Sequence, residues 1–194
     1  PVSVILPVLN EERYLEATVS AITAQDYPGQ IEIVLALGPS RDRTNEVAAN
    51  LASRDQRISL VENPSGKTAD ALNRAIAASH APIIVRVDGH SILPAGYIRE
   101  AVETLMRTGA VNVGGMMAAE GVTRFERVVA TAMRSKFGVG GASFHVGGIE
   151  GPADTVYLGV FLRSAIAEIN GFDPHFIRAQ DWELNYRLRE RGGL

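Results

Sequence analysis

Two rhythms of apolar and polar positions alternate along this chain. Short β-branched and aliphatic runs at Val2–Val8, Ile31–Leu37, 58–61, 83–88, 111–117 and 155–162 predict strands. Between them, apolar residues recur every three or four positions. That spacing predicts a helix after Asn10 with Leu15, Val19 and Ile22 as its stripe, and further helices near 44–53, 68–79, 94–108, 123–135, 163–169 and 181–191. Asn10 is expected to cap the first helix, with Glu11 and Glu12 in its first turn. Tyr27-Pro28-Gly29, Gly38-Pro39-Ser40-Arg41-Asp42 and the 63–67 loop punctuate the pattern. Strand and helix alternating at βαβ spacing through 1–117 predict an α/β fold, a mostly parallel sheet flanked by helices.

The stretch 118–194 breaks this rhythm and is expected to form a smaller mixed portion. Its segment 137–151 holds six Gly in fifteen residues, which excludes regular structure. It is either a mobile lid or a loop whose backbone closes on a ligand.

The chain has 194 residues, 46% hydrophobic and 21% charged, enough for one sizeable α/β domain. A net charge of −3 argues against a nucleic-acid partner held through phosphates. With no Cys, disulfides and thiolate metal sites are excluded. No apolar run reaches transmembrane length. The chain opens on Pro1 and closes on Gly192-Gly193-Leu194, which reads as a domain truncated on its C-terminal side.

The buried strand 83–88 ends on Asp88, with His90 two residues on. In open α/β sheets ligands bind beyond the carboxyl ends of the strands. A carboxylate and an imidazole on either side of Gly89 suit a divalent cation that in turn holds a phosphate. The alternative reading is a turn-capping Asp and a solvated His. Gly66-Lys67-Thr68 imitates a P-loop, but the Gly required five residues before Gly66 is Val61, and Pro64 removes a backbone donor. Lys67 still suits a phosphate as a point charge at a helix start. A dinucleotide fingerprint is absent: Asn10-Glu11-Glu12 follows the first strand, where two acids repel a pyrophosphate. Asp181, at the start of the last helix and beside Trp182, suits a base accepting a sugar hydroxyl's proton while the ring stacks on the sugar. Its alternative is a plain helix cap. Arg187, Arg189 and Arg191 read as a solvated helix end.

Taken in order, Pro7-Val8-Leu9-Asn10-Glu11, Ser40-x-Asp42-x-Thr44, Asn63-x-x-Gly66-Lys67, Asp88-x-His90 and Gln180-Asp181 resemble a family 2 glycosyltransferase of the GT-A, Rossmann-like fold. The tail through Asp154-Thr155-Val156-Tyr157-Leu158-Gly159 and Glu183-Leu184-Asn185-Tyr186-Arg187 is similar to the succinoglycan-type β-glucosyltransferases. The resemblance implies that Pro7, Val8, Asn10, Glu11, Gly38 and Ser40 line a nucleotide-sugar pocket, with Lys67 near the diphosphate. It implies that Asp88 and His90 hold Mn²⁺ or Mg²⁺ with the donor, that Asp181 is the base, and that Asp154, Gln180 and Trp182 face the acceptor or a lid. In place of the family's pair of Asp after the second strand stands Leu37-Gly38, which leaves the base contact open.

The expected activity is inverting, metal-dependent transfer of a hexose from a nucleotide diphosphate sugar, expected to be a UDP-sugar, to a glycan or lipid-linked glycan in polysaccharide biosynthesis. Residues 1–117 would bind the donor and 118–194 the acceptor, in the cytoplasm at the inner face of a membrane. The rival readings are a catalytically silent nucleotide-sugar-binding module and a P-loop-like nucleotide hydrolase.

Overall fold

The computed structural model describes residues 1–118, 121, 123–133 and 150–194. The Gly-rich segment read as a lid lies outside the described residues except for Glu150 and Gly151.

Six described strands form one sheet: β1 (Val2–Val8), β2 (Ile31–Leu37), β3 (Ile58–Glu62), β4 (Ile83–Arg86), β5 (Asn112–Gly115) and β6 (Tyr157–Leu162), in the order β3-β2-β1-β4-β6-β5. β1 pairs in parallel with β2 and β4, and β2 with β3; β6 is antiparallel to both neighbours. β5 therefore runs with β4, and β6 alone is reversed. The expected mostly parallel α/β sheet is present.

The described helices are α1 (Leu15–Thr23), α2 (Thr44–Arg54), α3 (Thr68–Ala78), α4 (Tyr97–Thr108), α5 (Arg124–Met133), α6 (Arg163–Glu168) and α7 (Gln180–Glu190). Both faces of the central strands are buried, which explains their near-continuous apolar sequence. Val2, Val4, Leu6 and Val8 pack on one face with Leu15, Val19 and Ile22 of α1 and Ile98 and Leu105 of α4. Ile5, Val34 and Ala36 pack on the other with Leu72 and Ala75 of α3, Ile166 of α6, and Leu184 and Leu188 of α7. The period of two in β1 thus feeds two separate cores.

β6 decides what reaches the site. Its last residue Leu162 lies opposite Ile83, the first of β4. Arg163 then anchors the junction by donating to the carbonyls of Ala81 and Ile76 and to Ser79 Oγ. Running backwards, the strand brings Tyr157 to the carboxyl end of β4, where its hydroxyl lies 3.0 Å from Ser91 Oγ.

Several boundaries differ from expectation. Gly96 in the left-handed region (φ 83°) holds the start of α4 back to Tyr97 rather than 94. β5 is shorter than 111–117 because its pairing with β6 is irregular between Val113 and Gly115. Gly159 is required there: a Cβ would lie 2.6 Å from Asn112 Oδ1 and from Phe161 Cε2. Asn10 does not cap α1, whose N-terminal neighbour is Tyr14 without a side-chain cap, and Glu16 is the acid of its first turn. Asn10 instead adopts φ 58°, a conformation open to Asn at modest cost, and turns its amide toward the next loop.

Candidate active site

The loops after β1 and β2 are laced together. The backbone N–H groups of Asn10, Glu11 and Glu12 donate to Ser40 Oγ (3.1 Å), Thr44 Oγ1 (2.7 Å) and Asp42 Oδ2 (3.2 Å). Asn10 Oδ1 accepts from the Arg41 N–H at 2.8 Å. Glu12 takes the N–H and Nε of Arg43. The Ser-x-Asp-x-Thr spacing thus places three acceptors against three consecutive donors that would otherwise lack partners. Pro7 and Val8 lie in β1 opposite Ala36 and Leu37, and Gly38 donates to the Val8 carbonyl at 2.8 Å. A Cβ on Gly38 would meet Leu9 Cδ1 at 2.9 Å, so glycine lets the two loops converge. These residues lie together at the carboxyl edge of the sheet.

The centre of that edge is Arg86, the last residue of β4 and only 6% exposed. Its Nε and Nη2 donate to Asp88 Oδ1 at 3.1 and 3.0 Å. Its Nη1 donates to Asp181 Oδ1 in a short contact. Asp88 and Asp181, 93 positions apart in the chain, therefore share one guanidinium. Asp181 is not the helix cap: α7 begins at Gln180 after Ala179, which takes a left-handed conformation (φ 58°). Burial pushes the Asp181 carboxyl above its usual range; Arg86 opposes this and the Asp88 charge adds to it. Arg86 stays protonated although burial lowers it, because Asp88 and Asp181 hold it up.

His90 turns its Nδ1 to Glu11 Oε1 at 2.8 Å. The hydrogen bond from Glu11 raises the imidazole, burial works against it, and the charges of Glu11 and Asp88 add to the rise. The turn carrying these groups is fixed by buried Thr18, which donates to the Gly89 carbonyl at 3.0 Å. A side chain on Gly89 would meet Glu11 Cγ at 2.8 Å.

Among the described residues no group of three His, Asp or Glu side chains is arranged to hold a metal ion. Asp88 and His90, expected to share a cation, each also have a protein partner, Arg86 and Glu11. The donor set still suits a cation held largely by diphosphate and water. With Nδ1 turned to Glu11, His90 Nε2 is the nitrogen that would face a cation, as where carboxylates orient metal-binding histidines. Asp88 Oδ2 takes no hydrogen bond among the described residues.

The other expected residues are spread around this centre. Lys67 is exposed just before α3. The loop's N–H groups are spent internally, Gly66 on the Asn63 carbonyl and Lys67 on Ser65 Oγ, so no P-loop cradle exists. Gln180 Nε2 donates to the Ile177 carbonyl. Trp182 is 53% exposed and stacks on Tyr186 with ring centroids 5.9 Å apart. Asp154 is paired with Arg189 at 2.6 Å. The arginines of α7 are accordingly not all solvated: Arg187 is bound to Glu183 and to the carbonyls of Ile169 and Gly171. A cavity of about 450 Å³ between α4, β5, residues 150–156 and the end of α7 includes Asn185 but none of Arg86, Asp88, His90 and Asp181.

The reading from sequence missed Arg86 and Tyr157. A signal for Arg86 existed, because an Arg inside a fully apolar strand requires a buried partner. Tyr157 stood within the 154–159 motif, but its position beside Ser91 depends on the reversed strand.

Comparison with known proteins identifies the family and the fold. The sequence matches the family model "Glycosyl transferase family 2" over residues 3–169. It is 31% identical over 191 residues to the succinoglycan biosynthesis protein ExoA of Rhizobium meliloti (strain 1021), covering 97% of this chain and 58% of that protein. Among solved structures, it is similar to the mannosyltransferase PcManGT of Pyrobaculum calidifontis in complex with GDP-Man and Mn²⁺. That match has a TM-score of 0.75 at 23% identity, over 99% of this chain and 52% of the other. The glucosyl-3-phosphoglycerate synthase of Mycobacterium tuberculosis, in complex with Mn²⁺, UDP and phosphoglyceric acid, matches with a TM-score of 0.65 at 22% identity. It covers 98% of this chain and 64% of that one. These likenesses show that the expected GT-A fold is shared.

Proposed function

This chain belongs to glycosyl transferase family 2, and from that premise we propose that it transfers a hexose with inversion from a nucleotide diphosphate sugar. The acceptor is a glycan or lipid-linked glycan in polysaccharide biosynthesis, and the donor a UDP-sugar. The chain spans 58% of the length of ExoA, and that relative's part in succinoglycan biosynthesis supports the polysaccharide context. Neighbours solved with Mn²⁺ and GDP-Man or UDP support a nucleotide-sugar donor with a divalent cation.

One observation carries the reading: Asp88 and Asp181 meet on one buried guanidinium at the carboxyl edge of the sheet. In this reading Asp181, as an ionised carboxylate, takes a proton from an acceptor hydroxyl. As the O–H bond breaks, the acceptor oxygen attacks the anomeric carbon from the face opposite the diphosphate. The bond from that carbon to the diphosphate oxygen breaks, and the leaving group departs with the electron pair. An α-linked donor thereby yields a β-glycoside. Asp88 and His90 would hold the cation, with Glu11 fixing the imidazole; when bound, the cation neutralises charge on the diphosphate. Lys67 lends a further positive charge at the start of α3. The laced loops at Asn10 and Ser40 hold the nucleotide side rigid, and Trp182 offers an aromatic face to the acceptor sugar. The cytoplasmic face of a membrane, where nucleotide sugars and lipid carriers meet, suits such a site.

The test combines binding and product analysis. UDP is expected to bind more tightly with Mn²⁺ than without, and Asp88→Ala to remove that gain. Transfer from an α-linked UDP-hexose is expected to give a β-linked product by NMR coupling constants. UDP affinity indifferent to Mn²⁺ would rule out the cation role, and an α-linked product would rule out the single displacement.

A further inference from the structure

Arg86 is more than the counter-ion of one acid. Its backbone is fixed by register with Ile5 of β1, and its guanidinium is almost wholly buried. Nε and Nη2 both serve Asp88 Oδ1, which is already the pairing a buried Arg requires. Nη1 is left over and is aimed at Asp181 Oδ1. Among the described residues no other donor bonds to either carboxylate.

We propose that Arg86 is the positioning residue of the transfer site, registering the Asp181 carboxylate against Asp88 through one rigid fork and leaving Asp181 Oδ2 as the oxygen that takes the proton. The planar guanidinium is suited to this because it holds two carboxylates at fixed angles, whereas an ammonium is a single point of charge. The sheet supplies the rigidity, since the fork grows from a strand rather than from a loop. The same contact offsets the burial and the Asp88 charge that push the Asp181 carboxyl up, and so keeps more of it ionised. The inference rests on the reading of Asp181 as the base and adds to it how that base is aimed.

The experiment compares Arg86→Lys, Asp181→Glu and Asp181→Asn with the parent protein. It measures melting temperature, UDP affinity with Mn²⁺, and the pH dependence of UDP release from a UDP-hexose in the presence of acceptor. Asp181→Glu retains a base and the buried pairing but moves the carboxylate by one methylene, so it stays informative even where Arg86→Lys fails to fold. Misplacement on that scale costs up to about 10²-fold in rate. Both Arg86→Lys and Asp181→Glu are therefore expected to lose about 10- to 100-fold in kcat, with UDP affinity preserved in Asp181→Glu. In Arg86→Lys the acid limb of the pH profile is expected to move to higher pH, which a merely structural role would not produce. Parental kcat in Asp181→Glu, or parental kcat and acid limb in a folded Arg86→Lys, with Asp181→Asn inactive, would overturn the positioning role and leave the base in place. Full activity in Asp181→Asn would instead remove the base itself, and the inference with it.

Discussion

Replacing Asp181 by Asn separates a catalytic carboxylate from a structural one, because the two roles predict effects of different size on stability. The Asp181 side chain is 30% exposed, so its pairing with Arg86 is not sealed from water. Its folded pKa lies above the usual 3.8, chiefly because burial disfavours the charge. The folded protein therefore binds that proton more tightly than the unfolded chain does. Stability is then lost as pH rises from about 3.8 through the raised folded value, and at neutral pH the ionised carboxylate is a net cost. Asn removes this cost, keeps an oxygen for Nη1, and leaves Asp88 on Nε and Nη2. The expected change is within about 1 kcal/mol, against about 3–5 kcal/mol for breaking a sealed ion pair. For a chain of this size 1 kcal/mol corresponds to about 2–4 °C, so Tm is expected to move by less than about 4 °C. Turnover is expected to fall about 10²- to 10⁴-fold. Thermal unfolding at pH 7 and UDP release from a UDP-hexose are the assays. A fall in Tm of about 6–20 °C, the range a sealed pair would give, would refute the electrostatic reasoning. Parental turnover would refute the catalytic role.

Two further predictions follow from the same geometry. Glu11→Gln removes the carboxylate charge that strengthens the bond raising His90, so the imidazole is expected to titrate at lower pH in NMR spectra recorded without divalent cations; an unchanged midpoint would deny the pairing. In the parent protein that pair's contribution is fully present below about 6.5 and is lost as pH rises through the higher folded value, a loss that Glu11→Gln should abolish. Gly159→Ala drives a methyl against Asn112 Oδ1 and the Phe161 ring, with an expected cost of about 1–3 kcal/mol by chemical denaturation. Unchanged stability would mean that the irregular pairing of β5 with β6 relaxes freely.

The sequence by itself determined the elements that hydrophobic periodicity encodes. β1, β2 and α3 lie at or within a residue of where their apolar spacing put them, because burial on defined faces is a local property of the pattern. The carboxyl edge of β4 was legible as well, since an apolar run halting on Asp88 marks where a buried strand meets solvent. Pairing partners were not legible. Ser40, Asp42 and Thr44 were read as a turn leading into a helix and as a family motif; that they accept from the N–H groups of Asn10 to Glu12 is a match that exists only once β1 and β2 lie side by side. His90 and Asp88 were read as a pair, while their protein partners Glu11 and Arg86 are visible only in the folded chain. The direction of β6 carries no signature in alternation, which reads the same forwards and backwards, yet it brings Tyr157 to the site. Arg86 depends most on tertiary structure: its cost in a buried strand was written in the sequence, while the two acids that meet that cost lie 2 and 95 positions away. Periodicity is set by neighbours along the chain, whereas charge is satisfied by neighbours in space, and only folding decides which those are.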